Sequence, residues 1–190
     1  MRRGGSWPRR GRTRHDGRRE ILSTDRLRLR TATLDDAPFF LALLNDPGFL
    51  AQIGDRGART LDDARRMLAE GPITMQRARG HSSYVVTLRA CGTPIGTCGL
   101  IKRDTLPGVD LGYAFLEAHR GQGYAFEAAS AVLALAPTLG LPRVLAITTP
   151  GNAASNGLLG KLGMRFERFM HLVPGDNGVN LYSIDFNPAG

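Results

Sequence analysis

The sequence predicts a single mixed α/β domain behind a basic tail. Apolar residues alternate with period two in some stretches and recur at helical spacing in others. Taken in order, the stretches read β-α-α-β-β-β-α-β-α-β-β, with Gly- or Pro-bearing turns between them. With 190 residues, 42% of them hydrophobic, the chain can bury one sizeable core and is short for two. No apolar run approaches ~18 residues, so no transmembrane helix and no membrane partner are expected.

Leu27 and Leu29 alternate with Arg26, Arg28 and Arg30, a half-exposed strand. Thr33 with Asp36 resembles a capping box and opens an amphipathic helix over Leu34–Asn45. Thr60 with Asp63 repeats the device, and Gly71-Pro72 is expected to stop that second helix. From Ser83 a strand turns at Cys91-Gly92-Thr93 and returns as Pro94–Lys102, a hairpin. Asp110–Leu116 is a third strand of this group. The helix beginning after Gly123 carries one charge, Glu127, and so reads as buried nearly all round. Pro137 and Gly140 close it, and Arg143–Thr149 follows as a short buried strand. Asn152–Leu162 is helical with Gly163 as its stop. Phe166–Val173 and Val179–Phe186 are strands about a Gly175-Asp176-Asn177-Gly178 turn.

Charge divides the chain at its start. Residues 1–20 hold eight arginines against Asp16 and Glu20, leaving seventeen basic and fifteen acidic residues for the remainder. Dense like charge with almost no apolar residue cannot offset its ordering entropy, so residues 1–20 are expected as a disordered tail and 21–190 as the domain. Arg2-Arg3 lacks the apolar stretch of an export signal. The tail reads either as a weak nucleic-acid contact or as an extension without a role. Cys91 and Cys98 cannot make a disulfide framework, so a reducing, cytoplasmic compartment is the default. A covalent acyl-cysteine would need a neighbouring base, and none is visible. His15, His81, His119 and His171 are scattered, so no metal is expected.

The stretch that carries chemistry is Leu116–Ala125. Gly121 and Gly123 allow close backbone approach or positive φ between a strand end and a helix N-terminus. Successive amides there form an anion nest, with Arg120 beside it, and the natural guest is a phosphate or pyrophosphate. The competing reading is a strand–helix turn that uses glycine for geometry alone. A Walker loop is absent. A dinucleotide fingerprint fails at Phe126, and Ala146–Thr149 supplies no acid.

Arg120-Gly121-Gln122-Gly123-Tyr124-Ala125 resembles the Arg/Gln-x-x-Gly-x-Gly/Ala motif of the GCN5-related N-acetyltransferases. Glu127-Ala128, the strand Val144–Thr149 and Asn152-x-x-Ser155 leading to Lys161-Leu162-Gly163-Met164 match that family's order. Thr24–Arg30 with Asp35-Asp36-Ala37 resembles the opening of its ribosomal-protein N-acetyltransferase branch. The resemblance spans roughly residues 21–187. It implies the acyl-CoA N-acyltransferase fold: a mostly antiparallel mixed sheet, central parallel strands that splay apart, and flanking helices. It also implies acetyl-CoA as co-substrate and a primary amine, a protein N-terminus or a small molecule, as acceptor. The chain is expected as a monomer or homodimer.

On that resemblance, Phe115 and Leu116 pair with the pantetheine arm through N–H and C=O, and Arg120–Ala125 hold the pyrophosphate through main-chain amides. Asn152 bonds the arm from the second side. Amine attack on the thioester needs an oxyanion donor, expected from backbone N–H at Phe115–Leu116. It also needs a proton for a thiolate titrating near ~8.5. Many members place a Tyr acid seven residues after the Asn, where this chain has Leu159, so the resemblance points to Ser155; a helix-cap serine is the alternative. Asp110 or Glu117 could accept the amine proton, or could be ordinary solvated or salt-bridged carboxylates. Strand alternation sets Asp110, Gly112, Ala114 and Leu116 on one face and Leu111, Tyr113 and Phe115 on the other. The missing base favours an α-amine, with pKa ~7.7–8.0, over a lysine near ~10.4. Asp46, Asp55, Asp62, Asp63 and Glu70 are compatible with a cationic acceptor or with solvated helix faces. A non-catalytic acyl-CoA sensor is the alternative in another class.

Overall fold

A computed structural model describes residues 17–186. Residues 1–16 of the expected tail lie outside the described residues. Eight strands form one sheet: β1 Glu20–Ser23, β2 Leu27–Arg30, β3 Ser83–Leu88, β4 Pro94–Lys102, β5 Val109–Phe115, β6 Arg143–Thr148, β7 Arg165–Met170 and β8 Val179–Asp185. Their order is β1-β2-β3-β4-β5-β6-β8-β7, and every neighbouring pair is antiparallel except β5–β6. This is the mixed, mostly antiparallel sheet that the sequence predicts. The sheet starts one strand earlier than expected, because Ile21 and Leu22 pair Glu20–Ser23 against β2 directly after the run of arginines.

The helices are α1 Ala37–Leu44, α2 Pro47–Gln52, α3 Leu61–Leu68, α4 Thr74–Arg79, α5 Tyr124–Leu135 and α6 Ala153–Lys161. Both capping boxes form: the Asp36 carboxylate accepts from Thr33 N–H, and Thr60 Oγ1 accepts from Asp63 N–H at 3.1 Å. Gly71-Pro72 does not stop the chain as expected. Proline has no N–H to give, and a widened turn over Ala69–Ile73 absorbs it. Thr74 Oγ1 bonds Ala69 O at 2.7 Å, and the helix resumes as α4 until Gly80 at φ +74°. Sequence reading also did not place α2, which Asp46 caps by accepting from Gly48 N–H at 3.0 Å and Phe49 N–H at 3.4 Å.

The main core lies between the sheet and α5 and α6. Leu29, Val86, Cys98, Leu100 and Leu111 meet Ala128, Ala129 and Val132 there. A smaller cluster joins α1 to α3 through Ala37, Ala64 and Leu68. The helix α5 is not buried all round, contrary to expectation: Phe126 is 43% exposed. Its outward side carries Phe126 and Ala134 exposed, with Glu127 and Ser130 part-exposed, while Ala128, Ala129, Val132 and Leu133 are buried.

Candidate active site

The site is built where β5 and β6 part. The two strands pair once, Asp110 opposite Leu145, and the stretches beyond, Leu111–Phe115 and Ala146–Thr148, have no partner in each other. Leu116 N–H donates to Ile95 O at 3.0 Å. In an antiparallel ladder this closes the Ile95–Leu116 pair and turns alternate residues the other way. The main chain of Tyr113 and Phe115 therefore faces the gap toward β6, and that of Leu116 faces β4. The expectation that Leu116 offers its N–H to the arm is corrected for this reason. Phe115 keeps the right orientation, but its C=O accepts from Arg120 Nε at 2.9 Å, which leaves its N–H as the group facing the gap.

Beyond β5 the chain turns through Glu117–His119 into Arg120–Ala125. Gly121 and Gly123 stand at φ +72° and +81°, conformations that other residues reach only with strain. A Cβ on Gly121 would meet nothing within 4 Å, so that side of the loop is open. The first bond of α5 runs from Glu127 N–H to Gly123 O at 3.1 Å, so the N–H groups of Tyr124, Ala125 and Phe126 precede the helical ladder. A main-chain nest at a helix N-terminus fits a pyrophosphate.

Side chains from distant elements hold this loop. Arg26 Nη1 donates to Gln122 O at 3.0 Å, and its guanidinium lies 4.5 Å from the centre of the Tyr124 ring. In a trans peptide N–H and C=O point in opposite directions, so fixing Gln122 O directs Gly123 N–H away from Arg26. Glu127 accepts from Thr24 Oγ1 at 2.5 Å, Arg26 N–H at 3.0 Å and Arg26 Nε at 2.6 Å. Asp46 accepts from Glu117 N–H at 2.9 Å and pairs with Arg120. Burial raises the pKa of both carboxylates, and their hydrogen bonds outweigh it: Glu117 N–H and Arg120 hold Asp46 below the usual range, and Thr24 and Arg26 do the same for Glu127. The Arg120 guanidinium is thus a brace between Phe115 O and Asp46.

Across the gap, Asn152 caps α6: its Oδ1 accepts from Ser155 N–H at 3.0 Å. Ser155 is therefore not the cap, and its Oγ lies 2.7 Å from Tyr113 Oη of β5. This contact joins the two walls of the gap. Burial pushes the Tyr113 phenol up to about 12. Leu159, one turn along α6 from Ser155, is 1% exposed in the core. Asn156 ties this wall together. Its Nδ2 donates to Asn152 O at 2.8 Å and Thr149 O at 3.1 Å, while its Oδ1 accepts from Tyr182 Oη at 2.8 Å and Asn180 Nδ2 at 3.0 Å. Tyr113, Asn156, Arg26 and Asp46 were not singled out in sequence. Arg26 and Asp46 left a trace there, in the opening motif and the acidic group, and Tyr113 in the strand alternation.

The other candidates fall elsewhere. Asp110 is fully buried where the strands still pair, and it takes Arg103 Nε on both oxygens at 3.1 and 3.0 Å. Burial raises its pKa against the pull of Arg103. Five residues of extended strand, ~16 Å, separate it from Phe115. Glu117 is exposed, and His119 sits 6.5 Å from the Tyr124 ring. Asp55, Asp62 and Asp63 pair with Arg59, Arg65 and Arg66 on the surface. Cys98 is buried and Cys91 exposed. Among the described residues, no three His, Cys, Asp or Glu side chains group to hold a metal, and no helix is long and apolar enough to cross a membrane.

A parallel pair that opens beside a glycine loop at a helix N-terminus is the arrangement the resemblance implies for an acyl-coenzyme A-dependent transferase. A sequence model of the acetyltransferase (GNAT) domain matches residues 26–165. The uncharacterized N-acetyltransferase YoaA of Bacillus subtilis (strain 168) is 30% identical over 172 residues, 86% of this chain and 96% of that protein. An acetyltransferase from Agrobacterium tumefaciens str. C58 superposes with a TM-score of 0.73 at 27% identity, covering 87% of this chain and 94% of that one. The fold is shared with RimL, a ribosomal L7/L12 alpha-N-protein acetyltransferase solved with coenzyme A, at a TM-score of 0.77, 19% identity, and coverage of 90% and 100%. The chain belongs to the GNAT family of acetyltransferases and is an acetyl-CoA-dependent acyltransferase.

Proposed function

We propose that this chain transfers acetyl from acetyl-CoA to a primary amine, foremost a peptide α-amine, by direct attack within a ternary complex. The observation that carries the reading is the unpaired run of β5 beside β6, closed at its end by the braced glycine loop. The unpaired edge of β5 receives the arm, and the main-chain amides of Gly121–Ala125 receive the pyrophosphate; the Arg120 N–H, expected among them, is spent on Glu117 O at 3.1 Å. The Asn152 side chain lies on the opposite wall, spent at Oδ1 on its cap. Phe115 N–H faces the developing oxyanion. Ser155 supplies the proton to the departing sulfur. Asp110, locked to Arg103, has no part in the chemistry. With Asp110 locked away and Glu117 exposed on the turn after β5, an acceptor already part-neutral at working pH is favoured.

The test is thiol release from acetyl-CoA with a panel of α-amino peptides, aminoglycosides and polyamines. Turnover with peptides, reduced in Ser155→Ala at unchanged coenzyme A affinity, is the expected result. Coenzyme A binding without transfer to any amine would leave a sensor as the better description. The Arg-rich tail is outside this reading; RNA binding that survives removal of residues 1–20 would place any nucleic-acid contact on the domain itself.

A further inference from the structure

We propose that Tyr113 is a positioning residue for the departure of the thiol: its phenol donates to Ser155 Oγ at 2.7 Å and thereby aims the Ser155 proton into the gap between β5 and β6. The inference rests on the proposed function and adds a residue to it. A phenol is a far stronger acid than an alcohol, so in a Tyr–Ser pair the phenol is the donor. Burial keeps that phenol protonated throughout the working range. The Ser155 N–H is held separately by Asn152, so both ends of the residue are fixed. Leu159, the next residue on the same face of α6, is sealed in the core and offers no hydroxyl. The phenol therefore reaches this part of the site from the strand instead of the helix.

The proton count closes without a carboxylate. The amine lone pair forms the C–N bond, and the C–S bond breaks with its electron pair going to sulfur. Ser155 Oγ–H protonates the sulfur as the surplus proton on nitrogen passes to Ser155 Oγ in the same step, so no alkoxide forms and Tyr113 keeps its own proton. This accounts for a site in which Asp110 is locked away and Glu117 is exposed.

The experiment compares full-length wild type, Tyr113→Phe, Ser155→Ala and the double variant, with acetyl-CoA and the best peptide acceptor of the panel. Tyr113→Phe is expected to lower kcat about tenfold, the worth of one hydrogen bond, with KM for acetyl-CoA within about twofold. Ser155→Ala is expected to lose about 100-fold, and the double variant no more, because Tyr113 acts through Ser155. Incorporation of 3-fluorotyrosine at position 113 keeps the hydroxyl and restores kcat, which separates the bond from any loss of folding. Wild-type kcat in Tyr113→Phe, or a double variant that loses the product of both single effects, overturns the proposal. A wild type that binds coenzyme A but acetylates no amine overturns the underlying reading and this inference with it.

Discussion

The two walls of the gap are held by different chemistry. The β5 wall ends in main-chain amides, and ions keep it in shape: Asp46 with Arg120, and Glu127 with Arg26. The β6–α6 wall presents side chains, and neutral groups hold it: Asn152, Asn156, Asn180 and Tyr182. A binding surface made of backbone has no side chain of its own to fix it. It must be braced from elsewhere in the chain, and Arg26 lies 96 residues from the carbonyl it holds. A reactive side chain needs only a local cap and one partner.

The largest effect tests whether Asp110 belongs to either wall. Asp110→Asn breaks a buried ion pair and is expected to cost about 3 kcal/mol in a denaturant melt, with turnover per folded molecule unchanged. A variant that is stable but inactive would return Asp110 to the chemistry. Next, Ser155→Ala is expected to lower kcat about 100-fold, roughly 2.7 kcal/mol, with the calorimetric Kd of coenzyme A retained. A matched pair sharpens the contrast. Arg26→Ala should raise that Kd about tenfold and spare kcat at saturation, whereas Asn156→Ala should lower kcat about fivefold and spare Kd. Equal effects on both constants from either variant would mean that the walls do not work separately.

The smallest effect is acid sensitivity. Asp46 and Glu127 lie below their ordinary values of 3.8 and 4.5. Their stabilising contribution is complete above those values and is lost as pH falls through the lowered folded ones. Coenzyme A affinity should therefore decline below about pH 4, and Glu127→Gln should flatten that decline. The neutral wall carries no carboxylate and should add nothing to it.

The sheet and the glycine loop were legible because their signals are local. Alternation at Leu27 and Leu29, the Thr33 and Thr60 boxes, and Gly121 with Gly123 each act within a few residues. Ser155 came from the family's Asn-x-x-Ser spacing, and the structure places its Oγ beside Tyr113 Oη. What sequence could not supply were partners across long loops. Tyr113 meets Ser155 over 42 residues, and Asp46 meets Glu117 over 71. Strand alternation put Tyr113 on a face without saying what stood opposite. Leu116 was misread for a related reason. Side-chain faces follow from alternation alone, but which strand a main-chain N–H serves depends on register. Pro72 looked like a stop because a widened turn depends on Thr74 meeting Ala69 O.

The short helix α2 spans the mouth of the gap. At its start Asp46 holds the β5 end through Glu117 N–H, and at its finish Gln52 Oε1 accepts from Thr149 Oγ1, just past β6, at 3.1 Å. Six residues of helical rise amount to about 9 Å, close to twice the ~4.8 Å between paired strands. The helix is thus a spacer cut to the width of one missing strand.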